Sequence, residues 1–174
     1  MQSVAVVVLA AFPLVSLLAQ RAAEYKGKDE KLPQAVAPQP VAYSHKKHVA
    51  LGMRCLDCHK GAAQEDQAGL PGTALCMHCH ATIKTGSPEI SKLTEIHKRS
   101  GKPGWVRVYK VPDFVFFSHA SHVKAGEQCI TCHGNVQERD VLAREVSTGM
   151  VACMNCHATR KVSNDCVLCH QLSF

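Results

Sequence analysis

The apolar positions of this chain are unevenly spread. Residues 4–19, VAVVVLAAFPLVSLLA, are apolar or small apart from Ser16. A run of sixteen is shorter than the roughly 20 residues of a membrane-crossing helix and long for the core of an export signal. Leu17 stands where a cleavage site ending at Ala19 wants a small side chain, and Arg21, Lys26 and Lys28 follow the run instead of preceding it. Residues 1–20 therefore read as a signal anchor or a signal peptide, and either one implies export. Residues 21–42 turn charged and then rich in Pro, Gln and Ala (Pro33, Pro38, Pro40), the pattern of an extended tether. Beyond them no amphipathic period runs long. A short helix is expected from Pro88, broken by Gly-Lys-Pro-Gly at 101–104, and the alternation of WVRVYK at 105–110 predicts a brief strand that Pro112 ends. The remainder reads as short helices after the motifs described next, with much coil.

So little patterned apolar surface leaves the chain short of a core. Aromatic residues make up 5% of the 174 positions, with one Trp. The cysteines change the picture. All ten fall into five C-x-x-C-H boxes: Cys55/Cys58/His59, Cys76/Cys79/His80, Cys129/Cys132/His133, Cys153/Cys156/His157 and Cys166/Cys169/His170. Two thiols at this spacing form thioethers to the two vinyl groups of one haem, and the following His is placed to ligate the iron. Five covalently bound haems c would supply the missing core, at about 35 residues each, and the chain without them is expected to be largely unfolded.

The boxes belong to a larger repeat. YSHKKHVALGMRCLDCH from Tyr43 and FSHASHVKAGEQCITCH from Phe117 share the aromatic, the Ser and two His three residues apart, with ten residues from first His to first Cys in each. Each continues to a second box, CMHCHAT at 76–82 and CMNCHAT at 153–159. The chain thus divides into a first two-haem module (43–82), a linker (83–116), a second two-haem module (117–159), and a fifth box with the C-terminus (160–174).

The repeat also counts iron ligands. Six His are not the closing His of a box. His45 and His48, like His119 and His122, would share one face of a helical turn, and each could reach the open side of a different iron. The pairs are similar to the Ser-His-x-x-His pairs of class III cytochromes c, and that resemblance implies that the first of each pair serves the box that follows and the second another haem. His78 aligns with Asn155 and reads as box filler. The fifth distal ligand is Met150, three residues before Cys153, or His97, which otherwise reads as a solvated residue at a helix end, or the iron is open or water-ligated. Met53, Met77 and Met154 read as packing or box residues. Arg107 and Lys110 are either propionate partners or a solvated basic edge.

Charge excludes little and supports less. The formal net charge is +6, but each ferric haem with two ionised propionates carries roughly −1, so five nearly cancel it and nucleic-acid binding gains no support. Structural zinc draws on C-x-x-C pairs but does not explain a His after every second Cys. Ten Cys in 174 residues also fall below the roughly 8–10% of disulfide scaffolds. Irons with both axial sites filled exchange electrons without binding substrate, and no box has Lys in place of His, which argues against a catalytic reductase.

The run QPVAYSHKKH through CLDCH and CMHCH, the linker with SPEISKL and GWVRVYKVPDFVFFSHASHV, then CITCHG, MVACMNCH and CVLCH, resembles the pentahaem cytochrome subunit of alternative complex III and related quinone-linked membrane oxidoreductases. The Ser-His-x-x-His pairs resemble those of class III cytochromes c. The resemblance spans about residues 38–170 and implies an exported haem wire on the periplasmic side, held to the membrane by its N-terminus. Its partners would be an iron–sulfur subunit and a quinone-oxidising membrane subunit, with electrons passing to another cytochrome c or an oxidase. The family's methionine before the fourth box matches Met150. A free periplasmic class III-like shuttle is the alternative. The expected fold is a small haem-dominated multihaem cytochrome of short α-helices and coil with little strand.

Overall fold

A computed structural model describes residues 31–36 and 38–170; the N-terminal apolar run and its anchoring role lie outside the described residues. Eight short α-helices follow in order: α1 (His45–Val49), α2 (Cys55–Cys58), α3 (Thr73–His80), α4 (Pro88–Arg99), α5 (His119–Lys124), α6 (Cys129–His133), α7 (Met150–Arg160) and α8 (Cys166–Cys169). Single 3-10 turns at Lys60–Ala63 and Val136–Glu138 follow the first and third boxes. The sequence predicts short helices after the boxes; the structure instead runs them through the boxes. The box helices form even where β-branched Ile130, Thr131 and Val167 stand between the cysteines. Among the described residues no helix is long and apolar enough to cross a membrane.

The local sequence explains the helix ends. Ser44 caps α1 by accepting from Lys47 N at 3.1 Å, and Ser118 caps α5 by accepting from Ser121 N at 3.3 Å, so the Ser repeated before each His pair starts the turn that aligns the pair. In α4, Pro88 stands in the first turn with Glu89, and His97, Lys98 and Arg99 close the last turn, each complementing the helix dipole. Gly134 ends α6 at φ +68°, and a Cβ there would stand 3.1 Å from Glu145 Oε2, so both conformation and space favour glycine.

The strand expected at 105–110 does not form. Its place is taken by a side chain: Gln39 Oε1 accepts from Val106 N, and Gln39 Nε2 donates to Val106 O, both at 3.0 Å. One amide thus satisfies the backbone groups a neighbouring strand would have met. Among the described residues only two isolated antiparallel bridges occur, Gln34 with Arg144 and Val115 with His170. The segment read as a tether is likewise anchored from Gln34 onward. Besides that bridge, Ala42 N donates to Glu89 Oε2 at 2.7 Å and Val41 is buried.

Apolar burial is sparse. Val41, Leu93 and Ile96 form one small cluster, with Ile90, Trp105, Cys76 and Met77 packed on it beside the second box. Ala62 and Thr73 are the other buried residues among those described. In contrast Leu51, Ile83, Phe114, Phe116, Val141 and Val167 are each more than half exposed. Four buried apolar side chains cannot offset the ordering entropy of a chain this long. The fold needs further apolar mass between its helices.

Candidate haem sites

Nine His divide cleanly from the other two by burial. His45, His48, His59, His80, His119, His122, His133, His157 and His170 are all partly buried, whereas His78 and His97 are exposed. Most rings are fixed through Nδ1. That nitrogen faces the carbonyl of Ser44 in His48, Gly69 in His59, Ile83 in His80, Asp66 in His119, Ser118 in His122, Ser163 in His157 and Phe114 in His170, at 2.7–3.4 Å. A carbonyl only accepts, so Nδ1 carries the proton and Nε2 is left with its lone pair, the form in which a neutral imidazole binds a metal. Burial, then the neighbouring His59 and His48, push His45 down to about 4, which also keeps it neutral. Burial, His119 and His59 lower His133. The Nδ1 of His45 is buried without a partner.

The rings also come in pairs. His48 stands 6.1 Å from His80, His119 stands 6.3 Å from His133 and nearly parallel at 10°, and His122 stands 6.2 Å from His157, centroid to centroid. Each pair joins one Ser-His-x-x-His residue to one box His. His45 in turn lies close enough to His59 for the two to interact. A metal–nitrogen bond of about 2 Å and roughly 1 Å more from nitrogen to ring centre, on both sides of one ion, give about 6 Å. These spacings therefore fit two imidazoles on one iron. Each repeated aromatic wedges between the members of its pair. Tyr43 is edge-on to His45 (4.8 Å) and stacked on His48 (4.4 Å), and Phe117 repeats this with His119 (4.8 Å) and His122 (4.6 Å). Burial, with Cys58 and Cys76 nearby, pushes the Tyr43 hydroxyl up to about 12, so it stays protonated.

None of the ten cysteines is paired in a disulfide, and the boxes fall one to each of α2, α3, α6, α7 and α8. Among the described residues no group of three or more His, Cys, Asp or Glu converges on a point, so the boxes are not folded as zinc tetrahedra. Paired thiols followed by an oriented imidazole, a second imidazole at bis-axial spacing, and exposed apolar side chains around them fit covalently attached haem. The comparisons agree. The model of the class III cytochrome C family matches residues 20–106, and that of cytochrome c7 and related cytochrome c matches residues 115–171. The chain is also 34% identical, over 76% of its length and 77% of the relative's, to the "Menaquinone reductase, multiheme cytochrome c subunit" of Nitratidesulfovibrio vulgaris.

The chain belongs to the class III multihaem cytochrome c family. As such it is an electron-transfer protein and not itself an enzyme. Within this cytochrome the described ring contacts bring a second imidazole to three boxes; His59 of the first box has His45 close enough to interact, and His170 of the fifth is stacked at 6.0 Å on Phe114 and bridges to Val115. Met150 opens α7 and is 53% exposed. His97 is turned elsewhere: its Nδ1 donates to Thr73 Oγ1 at 2.8 Å, and that buried hydroxyl donates to Gly101 O at 3.0 Å. His78 donates Nδ1–H to Ala74 O one turn back, an ordinary exposed helix contact.

Two functional positions escaped the sequence. Tyr109, in the linker, lies edge-on to His133 at 4.7 Å; its Oη donates to His133 O (3.2 Å) and accepts from Glu145 N (3.0 Å) and Val146 N (3.3 Å). Thr73 ties α3, which carries the second box, to the end of α4. Neither has a repeat partner in the chain, so duplication could not flag them. Arg107, a candidate propionate partner, donates to Gln67 Oε1 at 3.4 Å.

Proposed function

We propose that this cytochrome carries five haems c and is the electron-carrying subunit of a quinone-linked membrane complex on the periplasmic side. In this reading it receives electrons from, or delivers them to, an iron–sulfur subunit beside a quinone-reacting membrane subunit. It exchanges them at its other end with a further cytochrome or an oxidase, as in the alternative complex III arrangement. The observation that carries the reading is the set of imidazole pairs at 6.1–6.3 Å, each joining one box to one repeated His. The named role of the relative, a menaquinone reductase subunit, supplies the quinone link.

When bound, c-type haem supplies a one-electron iron couple that needs no proton and no substrate. The chain's own task is placement. The first haem falls to Cys55, Cys58, His59 and His45; the second to Cys76, Cys79, His80 and His48. The third falls to Cys129, Cys132, His133 and His119; the fourth to Cys153, Cys156, His157 and His122. The fifth falls to Cys166, Cys169 and His170, with Met150 as sixth ligand. Carbonyls facing Nδ1 fix the tautomer of seven of these nine imidazoles and raise the basicity of their Nε2. Two side chains holding each iron would keep reactive small molecules off it. Tyr43 and Phe117 pack against both His of their module and hold the two rings in place.

The test has two parts. Haem content with low-temperature electron paramagnetic resonance and near-infrared magnetic circular dichroism of the oxidised protein should return five low-spin haems, four bis-His and one His/Met. Fewer haems, or a high-spin iron that binds nitrite or CO, would overturn the site assignment. Fractionation of the native host should recover the protein with membranes and an iron–sulfur partner; recovery only in the soluble periplasm would return the free-shuttle reading.

A further inference from the structure

The geometry points to a spatial order of the boxes that departs from chain order: second, first, third, fourth, fifth, with the first box facing the third where the two modules meet. This deepens the five-haem reading and rests on it.

The modules are docked reciprocally. α1, which carries the distal pair of the first module, packs on the segment after the third box: Lys46 N donates to Arg139 O at 3.1 Å and Ser44 Oγ donates to Asp140 Oδ1 at 2.6 Å. α5, which carries the distal pair of the second module, packs on the segment after the first box. There His119 N donates to Asp66 O at 3.1 Å, Ala120 N to Glu65 O at 3.0 Å and His119 Nδ1 to Asp66 O at 2.9 Å. The equivalent surfaces are exchanged, as in a two-fold dimer, although both halves belong to one chain. Because each docking segment follows a first-of-module box, those two boxes share the centre. Cys55 and Cys129, the leading thiols of the first and third boxes, neighbour each other across this junction, and so do His59 and His133.

The outer members follow from the His turns. His48 lies one turn beyond His45 and reaches His80, which puts the second box on the far side of α1. His122 lies one turn beyond His119 and reaches His157, which puts the fourth box on the far side of α5. Arg160 at the end of α7 pairs with Glu127, just before the third box, at 3.0 Å. The fifth box continues outward from the fourth. Asn164 Nδ2 donates to Met154 O at 3.0 Å, Phe116 N to Cys169 O at 2.8 Å, and Cys169 neighbours Cys153. Electrons crossing between modules therefore have one junction to use. The ends of the row, where partners are served, are the second box beside the Val41, Leu93 and Ile96 cluster and the fifth box near the C-terminus.

Two experiments decide this on the haem-loaded full-length protein. Iron-edge anomalous diffraction locates the irons; the first and third should be the only adjacent pair drawn from different modules, and the second and fifth should each have one near neighbour. Five irons with the second or fourth at the junction would overturn the order while leaving the five-haem reading intact; fewer than five would fail that reading instead. In solution, Cys55→Ala with Cys58→Ala, which deletes the first site, should remove the magnetic broadening of the second site's resonance. Cys166→Ala with Cys169→Ala should leave that broadening unchanged. A second-site signal still broadened without the first site would refute the order.

Discussion

The Tyr109 hydroxyl offers the sharpest check on how the linker holds a haem site. It donates one bond and accepts two, which uses its full capacity, and it ties the backbone of His133 to Glu145 and Val146, residues that lie on a separate loop. Tyr109→Phe keeps the ring and its edge-on contact with His133 and deletes only these three bonds. At about 0.5–1.5 kcal/mol net each, with the 3.3 Å bond to Val146 at the weak end and water reaching a half-buried site, the loss should be about 1–3 kcal/mol. In a chain of this size that corresponds to a fall in Tm of about 3–9 °C. The assay is thermal unfolding of the haem-loaded protein followed in the Soret region, with resonance spectra recorded before heating. The third site's low-spin signal should shift while the other four stay. Lys110→Ala, an exposed neighbour, should change stability by no more than about 0.5 kcal/mol. A Tm within a degree of the parent protein, together with an unshifted third site, would show that the hydroxyl does not position His133.

Four further outcomes follow from the same structure. His122→Ala should convert about one fifth of the iron from low to high spin, and adding Cys153→Ala and Cys156→Ala should abolish that high-spin signal; all five haems remaining low spin in the single variant would sink the pairing of His122 with the fourth box. Thr73→Val, at a position with no exposure, should cost about 1–3 kcal/mol by stranding His97 Nδ1 and weakening the hold on Gly101 O, measurable by denaturant unfolding. Arg139 holds the Glu145 carboxyl below its ordinary value of 4.5. This pair's contribution is therefore present above that value and is lost as pH falls through the lowered one, and a stability profile of Glu145→Gln should lose this acid-side slope. Expression without haem attachment should give a chain with most of its helical circular dichroism lost, since the described residues bury only four apolar side chains.

The chemistry of this protein was legible because it is local. A C-x-x-C-H box needs only five consecutive residues, and the Ser-His-x-x-His turn needs a cap and one helical turn, so both could be read without any tertiary contact. Duplication then set His45, His48, His119 and His122 apart from His78, which is exposed where they are partly buried. What could not be read was any arrangement resting on partners far along the chain. The alternation at 105–110 looked like a strand, but a strand requires a second one, and the Gln39 side chain met Val106 instead. Helix placement was also missed, since the boxes themselves take helical form. The sequence by itself determined how many C-x-x-C-H boxes there are and which thiols and imidazoles they offer. Tertiary structure alone decided which imidazoles stand opposite one another, that Tyr109 braces His133, and that the first and third boxes share the centre. Covalent motifs are set by neighbours in the chain, whereas their mutual order is set by docking between α1, α5 and the segments after the first and third boxes.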